Sequence, residues 1–291
     1  MMRFADHDET LEEARQRNIH DALAEDIGTG DWTGRLVPAG QQVQARVIVR
    51  EAAALCGRDW FDGVVHALDA AAAVDWQVDE GAWMQPDQTV VTLRGDARAL
   101  LAAERPALNF IQLLSATATV TRQHVDAVAG ASPLPEGCAI LDTRKTIPGL
   151  RQAQKYAVRV GGGRNQRLAL WHGILIKENH IAAAGGVAQV LANARALDAG
   201  VEIQIEVETL AQLQEALAAG ATSVLLDNFD LQRMREAVAL NAGRALLEVS
   251  GSVQIDQLRA IAATGVHRIS IGRLTKDLRA VDFSMRVLGP A

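Results

Sequence analysis

"VEIQIEVETLAQLQEALAAGATSVLLDNF", residues 201–229, packs two contrasting periodicities into one short stretch. Its first run alternates Glu202, Gln204, Glu206 and Glu208 with Ile203, Ile205 and Val207, the period of two that belongs to a strand with unlike faces. "LAQLQEALAAG" (210–220) then spaces its leucines as a helix does and stops on a glycine. "TSVLLDNF" (222–229) returns to a short apolar run that turns polar at Asp227. Strand, helix and strand at this spacing predict a βαβ unit with parallel strands.

The same unit repeats on either side. "CAILDTRKT", "GILIKENH", "ALLEVSG" and "HRISIGRLT" are further strand-like runs, and the later ones are separated by helical patterns such as "LQRMREAVALNAG". Six such strands fall short of the eight of a full TIM barrel. The pattern predicts an incomplete or irregular α/β barrel, with a doubly wound open sheet as the alternative.

Every run is apolar first and polar last. Arg144 and Lys145 close the first strand, Lys177 and Asn179 the second, Glu206 and Glu208 the third. Asp227 and Asn228 close the fourth, Ser250 and Gly251 the fifth, Gly272 and Arg273 the sixth. The C-terminal ends of parallel strands share one mouth, where ligands bind. A single charge there is as often a solvated loop residue as a functional one. Here the charges sort by strand, cations on the first two and carboxylates on the next two.

Composition narrows the partner. The 291 residues are 49% apolar and 22% charged, as in an ordinary globular protein, and net charge is −6. That balance argues against general nucleic-acid binding. Residues 142–180 nevertheless carry eight Lys and Arg against two acids, a net +6 that leaves −12 for the rest. Two cations about 4 Å apart repel by roughly 4 kcal/mol at an effective dielectric of 20, so such a cluster calls for a small polyanion. The carboxylates offer oxygen ligands of the kind Mg²⁺ takes alongside substrate phosphates. Ser250-Gly251-Ser252 precedes the helical pattern "VQIDQLRAIAATG", and a helix beginning at Val253 would present free N–H groups to a phosphate.

Other readings are plainer. Cys56 and Cys138 lack metal-ligand spacing and read as reduced thiols, and His172 and His180 find no third ligand. The polar, acidic opening "MMRFADHDETLEEARQRN" has no signal-like apolar stretch, and no run is long enough to span a bilayer, so a cytoplasmic protein without membrane contact is expected. "QVQARVIVRE" predicts a strand with Val43, Ala45, Val47 and Val49 on one face. A long helix runs from Asp96, with a break or kink expected near Arg105 because Pro106 follows it. "GASPLPEG" (130–137) reads as a linker. In "VGGGRNQRLAL" (160–170) the glycines end a helix and deliver Arg167 ahead of "GILIK".

Seven ordered segments, "ERPALNFIQLLSATAT", "LDTRKTIPGLRQAQKYAVRVGGG", "ILIKENHI", "IEVETLAQLQEAL", "LLDNF", "LLEVSGSV" and "ISIGRLTK", resemble the signatures of the quinolinate phosphoribosyltransferase family across nearly the whole chain. The resemblance implies an N-terminal α/β sandwich domain over residues 1–115 and an open seven-stranded, TIM-like α/β barrel over 116–276. It also implies a C-terminal tail, about 277–291, that packs back on the first domain. It implies a homodimer with shared active sites that converts quinolinate and phosphoribosyl pyrophosphate to nicotinate mononucleotide, pyrophosphate and CO₂ with Mg²⁺, in NAD biosynthesis.

By the same resemblance Arg144, Lys145 and Arg167 hold quinolinate, with Arg105 reaching in from the partner subunit. Lys177 lies near the ribose and pyrophosphate, and Glu206 and Asp227 engage the ribose hydroxyls and the metal. Ser250, Gly251, Ser252, Gly272 and Arg273 take the 5′-phosphate, and Thr143 and Ile271 complete the binding set. Lys145, Lys177, Glu206 and Asp227 carry the catalytic roles. Two positions depart from the family pattern: Gln166 stands where a histidine is usual, and Pro106 follows the arginine. The rival readings are a paralogue of the same fold associated with molybdenum transport and a non-catalytic anion-binding module.

Overall fold

The computed structural model describes residues 8–291, so the opening seven residues of the expected first domain lie outside it. The chain forms two compact units. Unit 1 runs to Val120 and adds Thr146–Gly162 and Thr275–Ala291; unit 2 comprises Thr121–Lys145 and Gly163–Leu274.

Unit 1 begins with α1 (Leu11–Ile27), started by a capping box between Thr10 and Glu13. Its strands are β1 (Gln42–Val49), β2 (Ala53–Ala54), β3 (Ala73–Trp76), β4 (Trp83–Met84) and β5 (Thr89–Asp96). As expected, Val43, Ala45, Val47 and Val49 are buried while Gln42, Gln44 and Arg46 face out. β1 pairs antiparallel with β5 on one side and with the C-terminal strand Phe283–Pro290 on the other. Against this sheet pack α2 (Arg58–Leu68) and α3 (Ala97–Val128) around Trp60, Phe61, Leu100, Leu108 and Ile111.

Some expectations need correction. Pro106 does not break α3, which is one helix of 32 residues. An interior proline costs about 3 kcal/mol, but Ala103, Ala107, Leu108 and Ile111 around it are buried, and each large apolar side chain returns about 1.5–3 kcal/mol on burial. "GASPLPEG" is irregular, yet it lies inside unit 2; the chain passes from unit 1 to unit 2 between Val120 and Thr121, within α3. Residues 146–162, expected in the barrel domain, group with unit 1. Their helix α4 (Arg151–Val160) buries Ala153 and Ala157 there, and Tyr156 stacks near Trp60 and donates to Glu80 at 3.0 Å.

Unit 2 is built on β6 (Ala139–Leu141), β7 (Ile174–Ile176), β8 (Ile203–Val207), β9 (Ser223–Asp227), β10 (Leu246–Ser250) and β11 (Arg268–Ser270). All pair in parallel, in the order β6-β11-β10-β9-β8-β7, so the two edge strands are the first two in sequence. Six strands are present among the described residues. Where the family resemblance implies a seventh, Arg164 makes an isolated parallel bridge to Leu141. The strands alternate with α5 (Glu178–Ala184), α6 (Val187–Ala196), α7 (Leu210–Ala218), α8 (Leu231–Asn241) and α9 (Leu258–Ala262). Thr209 and Asp230 cap α7 and α8 through their side-chain oxygens. The helix expected from Val253 starts later: a 3₁₀ turn at Ile255–Gln257, capped by Gln254, leads into α9.

Candidate active site

Parallel pairing puts the C-terminal ends of β6–β11 on one rim. Asp227 stands in register with Ser250, and Leu141 with Ser270, so the polar residues that follow each apolar run emerge side by side. Thr143, Arg144 and Lys145 follow β6; Lys177 follows β7; Glu206 lies near the end of β8. Ser250 leads into the exposed Gly251-Ser252 turn, and Gly272 and Arg273 follow β11.

The rim's contacts tie these residues together. Lys145 lies beside Gly272, where an added Cβ would stand 3.1 Å from the lysine Cδ and 3.7 Å from the Thr143 hydroxyl; the missing side chain makes room for both. Arg167 lies close enough to Arg144 that burial first, and then the neighbouring guanidinium, lower its pKa. Gly251 takes a φ of +137°, and a Cβ there would sit 2.6 Å from Asn228 Oδ1, so both backbone and space demand glycine. Asn228 in turn donates to Asp227 at 2.9 Å. A cavity of about 900 Å³ runs between α8 and the α9 region, along Met234, Arg235, Gln257 and Ala260, and reaches the rim at Asn228 and the Ser250–Ser252 turn. Arg273 donates to Gln254 at 2.9 Å. Ile271 is buried and its N–H donates to Leu141, so it shapes the rim through the backbone. Arg105 belongs to unit 1, on α3, and is exposed.

The carboxylates form a second group. Lys177 Nζ lies 3.1 Å from Glu206 Oε2. Burial holds the Glu206 carboxyl above its ordinary range; Lys177 pulls it down, and Asp227 pushes it up again. Glu206 and Asp227 therefore share one field, and a cation between them would relieve it. No group of three His, Cys, Asp or Glu side chains able to hold a metal occurs among the described residues. Two carboxylates fit a hard cation that fills its remaining sites with water and substrate oxygens.

The glycines end a helix, as their sequence suggested. α4 ends at Gly161, and the chain turns into Arg164, Asn165, Gln166 and Arg167. The buried Asp142 anchors that turn, accepting from the Gln166 N–H at 2.8 Å and from Asn165 Nδ2 at 2.6 Å. Arg167 donates to the Gly173 carbonyl at 2.7 Å.

Sequence reasoning missed the layer below the rim. Gln204 and Glu248 are buried, and Gln204 Nε2 donates to Glu248 at 2.9 Å. Arg268 sits 3.1 Å from Glu248 and 2.9 Å from Glu202. The signal was present: Gln204 and Glu206 share one face of β8, Glu202 precedes them at the same two-residue spacing, and Glu248 is an acid inside an apolar strand.

Two family models match the chain: the quinolinate phosphoribosyl transferase N-terminal domain over residues 31–115 and C-terminal domain over residues 117–286. A Bacillus subtilis protein named probable nicotinate-nucleotide pyrophosphorylase (carboxylating) is 39% identical over 90% of this chain and 90% of its own length. A Mycobacterium leprae nicotinate-nucleotide pyrophosphorylase (carboxylating) is 39% identical over 94% of this chain and 97% of its own. The solved structure of the nicotinate-nucleotide pyrophosphorylase from Francisella tularensis superposes with a TM-score of 0.89 at 42% identity, covering 94% of this chain and 96% of that one. With both domains matched and a rim that gathers cations, carboxylates and a Ser-Gly-Ser turn, this chain belongs to the quinolinate phosphoribosyl transferase family.

Proposed function

We propose that this chain transfers the phosphoribosyl group of phosphoribosyl pyrophosphate to quinolinate and removes one carboxylate. The products are nicotinate mononucleotide, pyrophosphate and CO₂, formed on the way to NAD. The observation that carries this reading is the sorting of charge around one rim, with Arg144 beside Arg167 and Lys177 joined to Glu206. Quinolinate brings two carboxylates, which suit the cations on the β6 end and the glycine loop. Phosphoribosyl pyrophosphate brings a sugar, a 5′-phosphate and a diphosphate, which suit the carboxylates and the Ser250–Ser252 turn. A plain anion-binding module would gain nothing from carboxylates on the same rim.

Each residue then has a task. Arg144, Lys145, Thr143 and Arg167 bind and orient quinolinate so that its ring nitrogen faces the ribose C1. Lys177 steadies the diphosphate, and Glu206 and Asp227 hold the ribose hydroxyls and favour positive charge at C1 as the C–O bond breaks. Ser250, Gly251, Ser252, Gly272, Arg273 and the backbone at Ile271 seat the 5′-phosphate. Mg²⁺ held between Glu206, Asp227, waters and the substrate would neutralise the departing diphosphate. The nitrogen lone pair forms the new C–N bond, and the ring nitrogen becomes cationic. Its positive charge stabilises the electron pair left on the neighbouring ring carbon when the carboxylate there departs as CO₂, and that carbon takes up a proton. Positioning and fixed charge supply the catalysis.

In this reading the enzyme works as a homodimer in the cytoplasm, and Arg105 of one subunit completes its partner's site. Cys56 and Cys138 are free, buried thiols, as a reducing compartment allows. No helix among the described residues is long and apolar enough to cross a membrane. Mixing an Arg105→Ala chain with a Lys177→Ala chain tests the shared site. Hybrid dimers should regain part of the activity that each variant lacks alone; no recovery in confirmed hybrids refutes the sharing.

A further inference from the structure

One layer below the rim, the interior of unit 2 contains an unbroken series of polar contacts that ends at Arg167. It starts at Arg268, whose guanidinium lies 3.1 Å from Glu248 and donates to Glu202 at 2.9 Å and Ser223 at 2.6 Å. Glu248 is fully buried, and its Oε2 accepts from Gln204 Nε2 at 2.9 Å. Gln204 Oε1 accepts from Gln166 Nε2 at 2.8 Å, and Gln166 Oε1 accepts from the Arg167 backbone N–H at 2.7 Å. Gln166 Nε2 also approaches both Glu248 oxygens, at 3.4 and 3.5 Å.

The series has a direction, and one residue sets it. A carboxylate paired with arginine can only accept hydrogen bonds, whereas an amide offers a donor at one end and an acceptor at the other. Glu248 therefore draws the NH₂ of Gln204, which turns the Gln204 oxygen outward. That oxygen draws the NH₂ of Gln166, which turns the Gln166 oxygen toward the Arg167 N–H. Each amide is oriented by its neighbour below, and reversing any one of them would set donor against donor or acceptor against acceptor.

We infer that Gln204 and Glu248 are positioning residues for dicarboxylate recognition: acting through Gln166, they fix the backbone of Arg167 and hence the place of its guanidinium beside Arg144. Gln166, which stands in the substrate-binding loop, serves here as a link in the scaffold. The inference rests on the proposed reading of Arg167 as a quinolinate ligand. It makes the quinolinate half of the site depend on the buried layer while the phosphoribosyl half, held by Glu206, Asp227 and the Ser250–Ser252 turn, does not.

A charge swap tests this. In Gln204→Glu two carboxylates face one another, and in Glu248→Gln the group that sets the direction is lost. In the double variant Gln204→Glu/Glu248→Gln, the carboxylate has moved one place along. It still accepts from Gln166 and now accepts from the new amide, whose oxygen faces Arg268, so the direction toward Arg167 is restored. Each single variant should raise the KM for quinolinate about tenfold or more, with the KM for phosphoribosyl pyrophosphate within about twofold of wild type. The double variant should return the quinolinate KM to within about threefold of wild type, the non-additivity expected of coupled neighbours.

Should a single variant fail to fold, Gln166→Leu, at a half-buried position, reads the same link and should also raise only the quinolinate KM. If both KM values move together, or the folded double variant shows no recovery, the residues are merely structural and the inference is overturned. Calorimetric titration with quinolinate alone separates this from the proposed reaction. A wild type that binds quinolinate without turnover refutes the reaction, and the network is then judged on its Kd; equal Kd across the folded variants, or no binding at all, overturns the network.

Discussion

The rim of unit 2 and the layer beneath it are both polar, yet they are finished to different degrees. Below, the buried Gln204 and Glu248 are hydrogen-bonded, and the half-buried Arg268 pairs with Glu248. At the rim, Arg167 lies beside a second guanidinium and Glu206 beside a second carboxylate, so like charges stand together. Buried polar groups are stable only when satisfied, and in the lower layer Gln204 and Glu248 find their partners within the chain. The rim has like charges that an anionic substrate and its cation would complete. One layer holds shape; in the proposed reading, the other holds a ligand.

Breaking the two layers should give opposite phenotypes. The largest effect belongs to Lys145→Ala at the rim. Loss of one pre-placed charge should lower kcat/KM by about 10²–10³-fold while the melting temperature stays within about 2 °C of wild type, because an exposed charge contributes little to stability. A normal rate in this variant would remove Lys145 from the site. Arg268→Met below the rim should do the reverse at first order. Removing one partner of a buried pair leaves Glu248 uncompensated and should cost about 3–5 kcal/mol of stability by denaturant titration. An unchanged midpoint would show that the lower layer is not load-sharing.

Ligand should sharpen the contrast. Quinolinate at about a hundred times its Kd should stabilise the protein by about 2.7 kcal/mol, and Arg144→Ala should abolish that gain without altering the unliganded midpoint. The smallest effect concerns pH. Glu206 titrates above its ordinary 4.5 because it is buried and faces Asp227, against the pull of Lys177. The folded state therefore holds that proton more tightly than the unfolded state, and stability is lost as pH rises through the folded value. Glu206→Gln should melt higher than wild type at pH 8, show no advantage at pH 4, and be nearly inactive at both. A lower melting point at pH 8 would contradict the assigned electrostatics.

Much of the fold was legible because unit 2 repeats one motif whose strands end in polar residues; the six runs became β6–β11. The rim was legible for the same reason, since topology alone brings Arg144, Lys177, Glu206 and Asp227 to one edge. What was not legible depended on packing. Pro106 carries a local breaking signal that the buried face of α3 overrides. Residues 146–162 look like part of the barrel domain until Tyr156 is seen against Trp60 and Glu80. The Gln204–Glu248 link joins residues 44 apart in sequence, and only the register of β8, β9 and β10 brings them together.

The most direct test incubates the purified chain with quinolinate, phosphoribosyl pyrophosphate and Mg²⁺ and quantifies nicotinate mononucleotide, pyrophosphate and CO₂. The three products should appear in equal amounts, with all three formed about 10²–10³-fold more slowly by Lys145→Ala; absence of product from folded wild-type protein, or mononucleotide without CO₂, would refute the proposed reaction.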